Sequence, residues 1–365
     1  MNISRYPATR NQSLRAWSAA DEYILKELAE TEISGKKLAI CNDRFGYLAT
    51  HLHHQNPYSV IAYQSQKASI MMNLQNNGLM PDPEKLLNPL EPVPESIDIG
   101  VMIVPKSLSL FQFYLQHLHR SLTEDGIVIC GFMTRHFSTQ ILTIAGEYFE
   151  DVRQSLAWKK SRVLILRGKK QDPDFDPVDT IPYTFSNGTS EVIRQYAGVF
   201  SSGNIDFATQ FLIEHLEVTG DEHTILDLAS GNGVIARAIQ LKKPDAELHL
   251  MDDFFLAVES SKLNLAPGNV HFHWSDSIED IGNVEFDLVV SNPPFHFAHE
   301  VNIEVAVDLF REVAGKLKPG GRFLCVANKH VGYLAYLKKF FTSCTILAEN
   351  KKYIIYESKK MKADG

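Results

Sequence analysis

The chain is 365 residues long, with 44% apolar, 22% charged and 10% aromatic residues, too long for one hydrophobic core and too apolar to be disordered. Its net charge of −8 divides unevenly: residues 1–170 hold 19 Lys and Arg against 16 acids (+3), and residues 171–365 hold 17 against 28 (−11). A protein that binds a polyanion needs a basic face, not a basic total, so the asymmetry allows nucleic-acid contact by the first half without requiring it.

From the start, Met1-Asn-Ile-Ser-Arg-Tyr-Pro-Ala-Thr-Arg10 lacks the apolar core of a signal peptide, and no later run approaches the ~18–20 apolar residues of a membrane helix. Cys41, Cys130, Cys325 and Cys344 are far apart with no CxxC pair, so they read as buried hydrophobes in a reducing compartment. A cytoplasmic protein with no membrane contact and no bound metal is expected. Strand-like runs at Lys37–Cys41, Tyr58–Ala62, Ile99–Val104 and Gly126–Cys130 alternate with helical stretches. Residues 171–182, rich in Asp and Pro, have no helical or strand period and read as a linker. Beyond it, runs at Thr224–Leu228, Glu247–Met251, Phe286–Val290 and Arg322–Val326 alternate with helices again. Short apolar strands separated by helices predict an α/β fold in both halves, 1–170 and 183–365, each a mostly parallel sheet with helices on both faces.

The order of features repeats. Asp43-Arg-Phe-Gly46 follows the first strand as Ser230-Gly-Asn-Gly233 follows the first strand of the later half. Ala68–Leu74 parallels Glu259–Leu265, Asp98–Pro105 parallels Asp287–Pro294, Leu122–Gly126 parallels Leu317–Gly321, and Lys159-Lys160 parallels Lys351-Lys352. Offsets between 187 and 195, in one order, point to an internal duplication. The early copy lacks the glycine pair, and Ile103-Val-Pro-Lys106 stands where Asn292-Pro-Pro-Phe295 stands later.

Ile225-Leu-Asp-Leu-Ala-Ser-Gly-Asn-Gly-Val-Ile-Ala236 is an apolar strand, a glycine turn and a helix start. Gly231 and Gly233 let backbone approach a ligand, and the helix terminus offers free N–H groups. Asp252 lies 21 residues beyond Gly231, where an acid can bind ribose hydroxyls. The same pattern suits a nicotinamide dinucleotide. Asp227 favours a different ligand: an acid at the strand end would repel a pyrophosphate and suits a cationic amine or sulfonium, as in S-adenosylmethionine.

Ser291-Asn-Pro-Pro-Phe-His296 follows the strand Phe286–Val290, at the carboxyl end where open α/β sheets bind ligands. Asn292 offers a side-chain carbonyl, and Pro293 a backbone carbonyl held by the ring of Pro294. Together they can accept both hydrogens of a planar exocyclic amine, while Phe295 stacks on the base that carries it. Such an amine is a poor nucleophile because its lone pair is delocalised. Accepting both N–H bonds favours charge developing on nitrogen and aims the lone pair at an activated methyl group.

On these residues the later half resembles class I S-adenosylmethionine-dependent methyltransferases that act on planar amino groups. The whole chain is similar to the ribosomal RNA guanine-N2 methyltransferases, nearest to the large subunit methyltransferase G family, with small subunit methyltransferase C as a near relative. Leu14-Arg-Ala-Trp-Ser-Ala-Ala-Asp-Glu-Tyr23, Leu156-Ala-Trp-Lys-Lys160 and Val326-Ala-Asn-Lys-His330 also carry the resemblance. It implies two tandem Rossmann-like methyltransferase domains, the first degenerate and used for RNA recognition, the second catalytic. It implies S-adenosylmethionine as cofactor, with S-adenosylhomocysteine as product, and ribosomal RNA, 23S by this likeness, as partner of a monomer. The resemblance assigns Asp227, Ala229, Gly231 and Gly233 to the amino-acid end of the cofactor, Asp252 and Asp253 to its ribose, Ser275 and Asp276 to its adenine. Phe200 and Asp206 would cover it, and Asn292 would lie between cofactor and substrate. Two positions depart from the family pattern: Ala229-Ser230 replaces Gly-Cys, and the glycine expected after Phe200 is shifted to Gly203. N-methyltransferases of 16S ribosomal RNA, DNA adenine or protein glutamine share the Asn-Pro-Pro motif and remain alternatives, as does a non-catalytic RNA-binding assembly protein.

Lys159, Lys160, Arg162, Arg167, Lys169 and Lys170 are the candidate phosphate contacts of the first half. His51, His53 and His54 cluster without a matching Cys or acidic pattern, and His271 and His273 would share one strand face; both groups read as structural or surface residues.

Overall fold

Parallel strands covered on both faces must be apolar throughout, and the four-residue run Leu38–Cys41 is buried at every position. It forms β1 of the first unit, Met1–Pro177. The computed structural model describes residues 1–9, 11, 13–201, 203–293 and 303–361, without side chains at 303–305. The first unit runs α1 (Ala19–Ala29), β1, α2 (Tyr47–His51), β2 (Tyr58–Val60), α3 (Gln64–Asn76), β3 (Leu86–Leu87), β4 (Ile97–Ile103), α4 (Leu108–Ser121), β5 (Leu122–Met133), α5 (Thr139–Tyr148), β6 (Phe149–Gln154) and β7 (Ser161–Lys169). Its seven strands lie in the order β3-β2-β1-β4-β5-β7-β6, parallel except for β7, which is antiparallel to both neighbours.

The second unit, Val178–Gly365, opens with a hairpin of β8 (Val178–Thr184) and β9 (Ser190–Tyr196). It continues with α6 (Phe207–His215), β10 (Thr224–Leu228), α7 (Val234–Lys242), β11 (Glu247–Asp252), α8 (Phe255–Lys262), β12 (Val270–Trp274), β13 (Phe286–Ser291), α9 (Ile303–Lys316), β14 (Leu317–Asn328), α10 (Leu334–Leu337), β15 (Ser343–Glu349) and β16 (Tyr353–Lys359). The strand order, β12-β11-β10-β13-β14-β16-β15, repeats that of the first unit element for element, with β16 as the antiparallel counterpart of β7. Even the irregularities repeat: the register of β4 on β5 slips between Ile97 and Ile99, and that of β13 on β14 between Phe286 and Leu288.

The expected linker needs correcting at its second end. Residues 178–182 belong to β8, where Ile181 faces Ile193 and both are buried in the core of the second unit. Pro182 is tolerated because a two-stranded ribbon leaves one edge without ladder bonds. At the other end Asp172 pairs with Arg120 at 2.6 Å and so belongs to the first unit.

Strand alternation divides the second core. Ile225, Leu288 and Val290 pack with α6 and α7, whereas Leu226, Leu228 and Val289 pack on the other face. Asp227 therefore projects toward the apolar side covered by α6 and α7. Gly46 and Gly233 each start a helix in the left-handed region, at φ +74° and +76°. A Cβ at Gly46 would lie 2.8 Å from Ile70, and one at Gly233 would lie 2.7 Å from Ser261. Gly46→Ala and Gly233→Ala should each destabilise their own unit by about 2 kcal/mol or more in chemical denaturation, from backbone strain and overpacking together. Gly231→Ala, at φ +56° with nothing within 4 Å of the added carbon, should cost less.

Candidate active site

The loops after β10, β11 and β13 leave the sheet at its carboxyl edge, and hydrogen bonds tie them together. Ser291 donates its hydroxyl to the carbonyl of Leu228 at 2.7 Å, and the Ser230 N–H donates to the Met251 carbonyl at 3.0 Å. The Gly231 N–H donates to the Asp252 carboxylate at 2.9 Å. Three of the five residues from Ala229 to Gly233 are left-handed: Ala229 at +60°, Gly231 at +56° and Gly233 at +76°. Ala229 thus takes the conformation that a glycine would, at a cost of roughly 1–2 kcal/mol.

Asp227 is buried, and one carboxylate oxygen accepts the Ala236 N–H at 3.0 Å while the other has no partner. Burial, with the nearby Asp252 adding to it, pushes its carboxyl up to about 8. Asp252 accepts from Gly231 and, at 2.8 Å, from the Phe254 N–H; burial holds it at about 6. Asp252 therefore latches the glycine turn to the end of β11, and each of its oxygens keeps a further lone pair. The Asp253 carbonyl accepts from the Trp274 indole at 2.9 Å. Ser275 is buried, donates to Asp280, and fixes the end of β12 through its N–H to the Asp252 carbonyl; Asp276 follows it, half-buried. Phe200 is 69% exposed, so its ring covers nothing within the protein.

Asn292 is held at one end of its amide. Its amide nitrogen donates to Thr209 Oγ1 at 2.8 Å and to Asp206 Oδ2 at 3.1 Å. Asp206 also caps α6, accepting from the Ala208 and Thr209 N–H groups at 3.0 and 3.2 Å. A carboxylate can only accept, so Asp206 fixes which end of the amide faces it. The Asn292 carbonyl oxygen is consequently left buried and without a partner. Pro293 is buried beside it, while Pro294, Phe295 and His296 lie outside the described residues. Sequence reading placed Asp206 over the cofactor and missed Thr209. A helix-capping Asp with Thr three residues on is visible in sequence, but its bond to an amide 83–86 residues away is not.

These groups fit S-adenosylmethionine. An orphaned carboxylate oxygen at Asp227 suits a cationic amine, the open space over Gly231 suits close backbone approach, and an unpaired acceptor at Asn292 awaits an N–H donor. The first unit lacks the set. At the shared offset of 187, Ile40 stands for Asp227 and Arg44 for Gly231; the Arg44 guanidinium lies 4.6 Å over the Tyr63 ring. At the offset of α3 on α8, Ile61 stands for Asp252.

The basic candidates of the first half do not form one patch. Lys159 and Lys160 sit on a turn before β7 with φ of +48° and +61°, and Lys159 pairs with Glu22 at 2.8 Å. Arg162 donates to the Ser155 carbonyl at 3.3 Å. Arg167 is exposed near the far end of β7, roughly 20 Å along the strand from Lys160. Lys169 and Lys170 donate to the Leu122 and Gly146 carbonyls, an occupation that is structural. Elsewhere, Glu247, His249 and His271 bring ligand atoms within 4.8 Å of one another, with His273 bonded to His249 at 2.9 Å. The strand periodicity placed His271 and His273 on one face, and pairing adds His249 opposite His271; the group begins at the end of β11 opposite Asp252.

A duplicated seven-stranded sheet, with a glycine turn, two strand-end acids and a clamped Asn-Pro in its second copy, defines an S-adenosylmethionine-dependent methyltransferase joined to a twin that lacks those two acids. Residues 1–171 match the family described as RLMG N-terminal domain, and residues 191–357 match the Methyltransferase small domain. Ribosomal RNA large subunit methyltransferase G of Yersinia pseudotuberculosis serotype O:1b (strain IP 31758) is 34% identical over 370 residues, covering 99% of this chain and 92% of that protein. Its namesake in Yersinia pestis bv. Antiqua (strain Angola) matches with the same identity and coverage. Among solved structures, the T. thermophilus 16S rRNA N2 G1207 methyltransferase (RsmC), in complex with AdoMet and guanosine, aligns with a TM-score of 0.78 at 21% identity, over 94% of this chain and 92% of that one. The chain belongs to the ribosomal RNA large subunit methyltransferase G family.

Asp227 carries a pH signature. Its folded value near 8 exceeds the ordinary 3.8, so its contribution to stability is complete below about pH 4 and is lost as pH rises through 8. Asp227→Asn should raise the melting temperature of the ligand-free protein at pH 8, with no gain at pH 4. A cationic ligand needs the ionised carboxylate, so calorimetric affinity for S-adenosylmethionine should rise between pH 6 and 8 in the native protein. In the variant it should be weaker by about tenfold or more and flat with pH.

Proposed function

We propose that the second unit methylates the exocyclic N2 amine of a guanine in large-subunit (23S) ribosomal RNA, acting as a cytoplasmic monomer, and that the first unit grips flanking RNA. The observation that carries this reading is the buried, unpaired carbonyl oxygen of Asn292, whose amide nitrogen is committed to Asp206 and Thr209. Guanine N2 as the target follows the solved relative, and the large subunit follows the names of the sequence relatives.

In this reading Asn292 Oδ1 and the Pro293 carbonyl accept the two N–H groups of the amine, and Phe295 stacks on the base. The pair of acceptors holds the nitrogen lone pair out of the ring plane and stabilises positive charge as it grows there. Asp227 holds the amino end of the cofactor, Gly231 lets the protein backbone approach it closely, Gly233 serves the turn by packing against α8, and Asp252 takes the ribose. The bound cofactor supplies a methyl group on positive sulfur, so that the N–C bond forms as the S–C bond breaks, sulfonium becomes thioether, and the amine releases one proton to water. Alignment supplies most of the rate, and no residue of this chain forms a covalent intermediate.

Asn292→Ala should lower kcat by about a hundredfold or more while leaving the affinity for S-adenosylmethionine near native, because the lost bonds act on the transition state. Near-native turnover would place the amine elsewhere. The fragment 1–177 should bind ribosomal RNA in gel shift, weakening steeply with salt, and show no calorimetric response to S-adenosylmethionine. Mass spectrometry of ribosomal RNA from cells lacking the protein should show one guanine without its N2-methyl group; an unchanged modification profile would reject the proposed reaction.

A further inference from the structure

Two features of the second unit take no part in the chemistry above. One is Phe207, the first residue of α6, whose apolar ring is 68% exposed. The other is Lys351-Lys352, singled out by sequence only as the counterpart of Lys159-Lys160. They face one groove of about 470 Å³, walled on one side by Phe207 and Phe211 of α6 and on the other by Lys351, Lys352 and Tyr353. The Phe211 and Tyr353 rings, 6.5 Å apart, span it.

The groove adjoins the Asn292 clamp through one helical turn. Phe207 follows Asp206 and precedes Thr209 by two residues, and both of those side chains bond the Asn292 amide. Tyr353 is paired with Asn328, at the carboxyl end of β14, the same edge of the sheet from which Asn292 projects. The lysines are held in place. Asn350 accepts the N–H groups of Lys352 and Tyr353, both at 2.8 Å, which makes a tight turn and presents Lys351 and Lys352 at its tip. The Lys352 ammonium lies 5.0 Å over the Tyr353 ring, yet both lysines are exposed. Glu214 is seven residues along α6 from Phe207, about 10 Å away, and at the end nearest Asn292 the Asp206 carboxylate, already bonded to Asn292, Ala208 and Thr209, faces the Lys352 ammonium. The half of the chain that carries this spot has a net charge of −11, and here two adjacent lysines stand beside the exposed Phe207 ring.

We infer that this groove is a binding site for the unpaired nucleotide flanking the target guanine in the RNA strand, with its base stacked on Phe207 and its phosphates against Lys351 and Lys352. The chemistry matches a single strand: aromatic faces accept any base, and ammonium groups neutralise the backbone without reading sequence. A methyltransferase that needs an amine out of its base pair must hold the strand open beside it, and a stacked neighbour does so. The inference rests on the RNA reading above and adds a site to it.

The test uses the full chain and a fluorescein-labelled 12-nucleotide single-stranded RNA, read by anisotropy at several salt concentrations, beside methyl transfer to 23S ribosomal RNA from cells lacking the protein. Phe207→Ala should weaken oligonucleotide binding about tenfold and raise KM for ribosomal RNA with kcat little changed, and Phe207→Trp should restore both. Lys351→Ala with Lys352→Ala should reduce the slope of log affinity against log salt by about 1.4, the value for two phosphate contacts on a single strand. S-adenosylmethionine affinity should be native in all three. Native RNA affinity and salt slope in the alanine variants would overturn the groove while leaving the methyl transfer of the unaltered chain standing. Loss of RNA affinity in the variants without methyl transfer by the unaltered chain would support the groove and reject the reaction.

Discussion

An amide side chain has one donating end and one accepting end, and a site that needs the acceptor must dispose of the donor. Here the donor of Asn292 is disposed of twice, by a carboxylate that can only accept and by a hydroxyl on the next turn of the same helix. The starts and ends of two elements are set by this arrangement. α6 must start at Asp206 for the carboxylate to be in place, the cap bonds to Ala208 and Thr209 hold that start, and β13 must end at Ser291 for Asn292 to meet it. The glycine turn is fastened to the same edge by Ser291 and Asp252, so the turn and the Asn292 clamp are parts of one hydrogen-bonded frame.

The twin unit shows which features belong to the fold and which to the chemistry. Both copies keep the strand order, the slipped register on the fourth strand and a left-handed glycine at the helix start. Both keep a carboxylate bonded to a helix N–H: Asp43 accepts from Ala49 at 2.8 Å as Asp227 accepts from Ala236. Asp43, however, follows the strand where Asp227 lies within it. Among the differences are the positions that carry the candidate chemistry: Ile40, Arg44 and Ile61 stand in place of an acid, a glycine and an acid, and Ile103 to Lys106 in place of Asn292 to Phe295.

Much of this was legible in the amino-acid sequence. Apolar runs bounded by turns gave the parallel strands close to their observed positions, because a strand buried on both faces has little freedom in composition. The repeat was legible because turn residues and strand starts recur at nearly fixed offsets. Asp227 and Asn292 stood out as polar groups at strand ends where the pattern calls for apolar ones. Three things were not legible. The start of β8 was hidden by Asp and Pro, residues of linkers that a two-stranded ribbon also tolerates. The basic run from Lys159 to Lys170 looked like one patch, but an extended strand separates its ends and carbonyls occupy two of its ammonium groups. The roles of Asp206 and Thr209 toward Asn292 arise from contact across more than eighty residues, which no local pattern records.

The repeated strand order also bears on how the chain comes to be made. Two sheets with the same seven-strand sequence of pairings offer each strand a second partner of matching position, and mispairing between repeats is a known failure of such chains. Synthesis from the N-terminus separates the two events in time. All seven strands of the first sheet precede Pro177, so they can pair with one another before β8 leaves the ribosome. The Asp- and Pro-rich stretch ahead of β8 lengthens the interval between the two events.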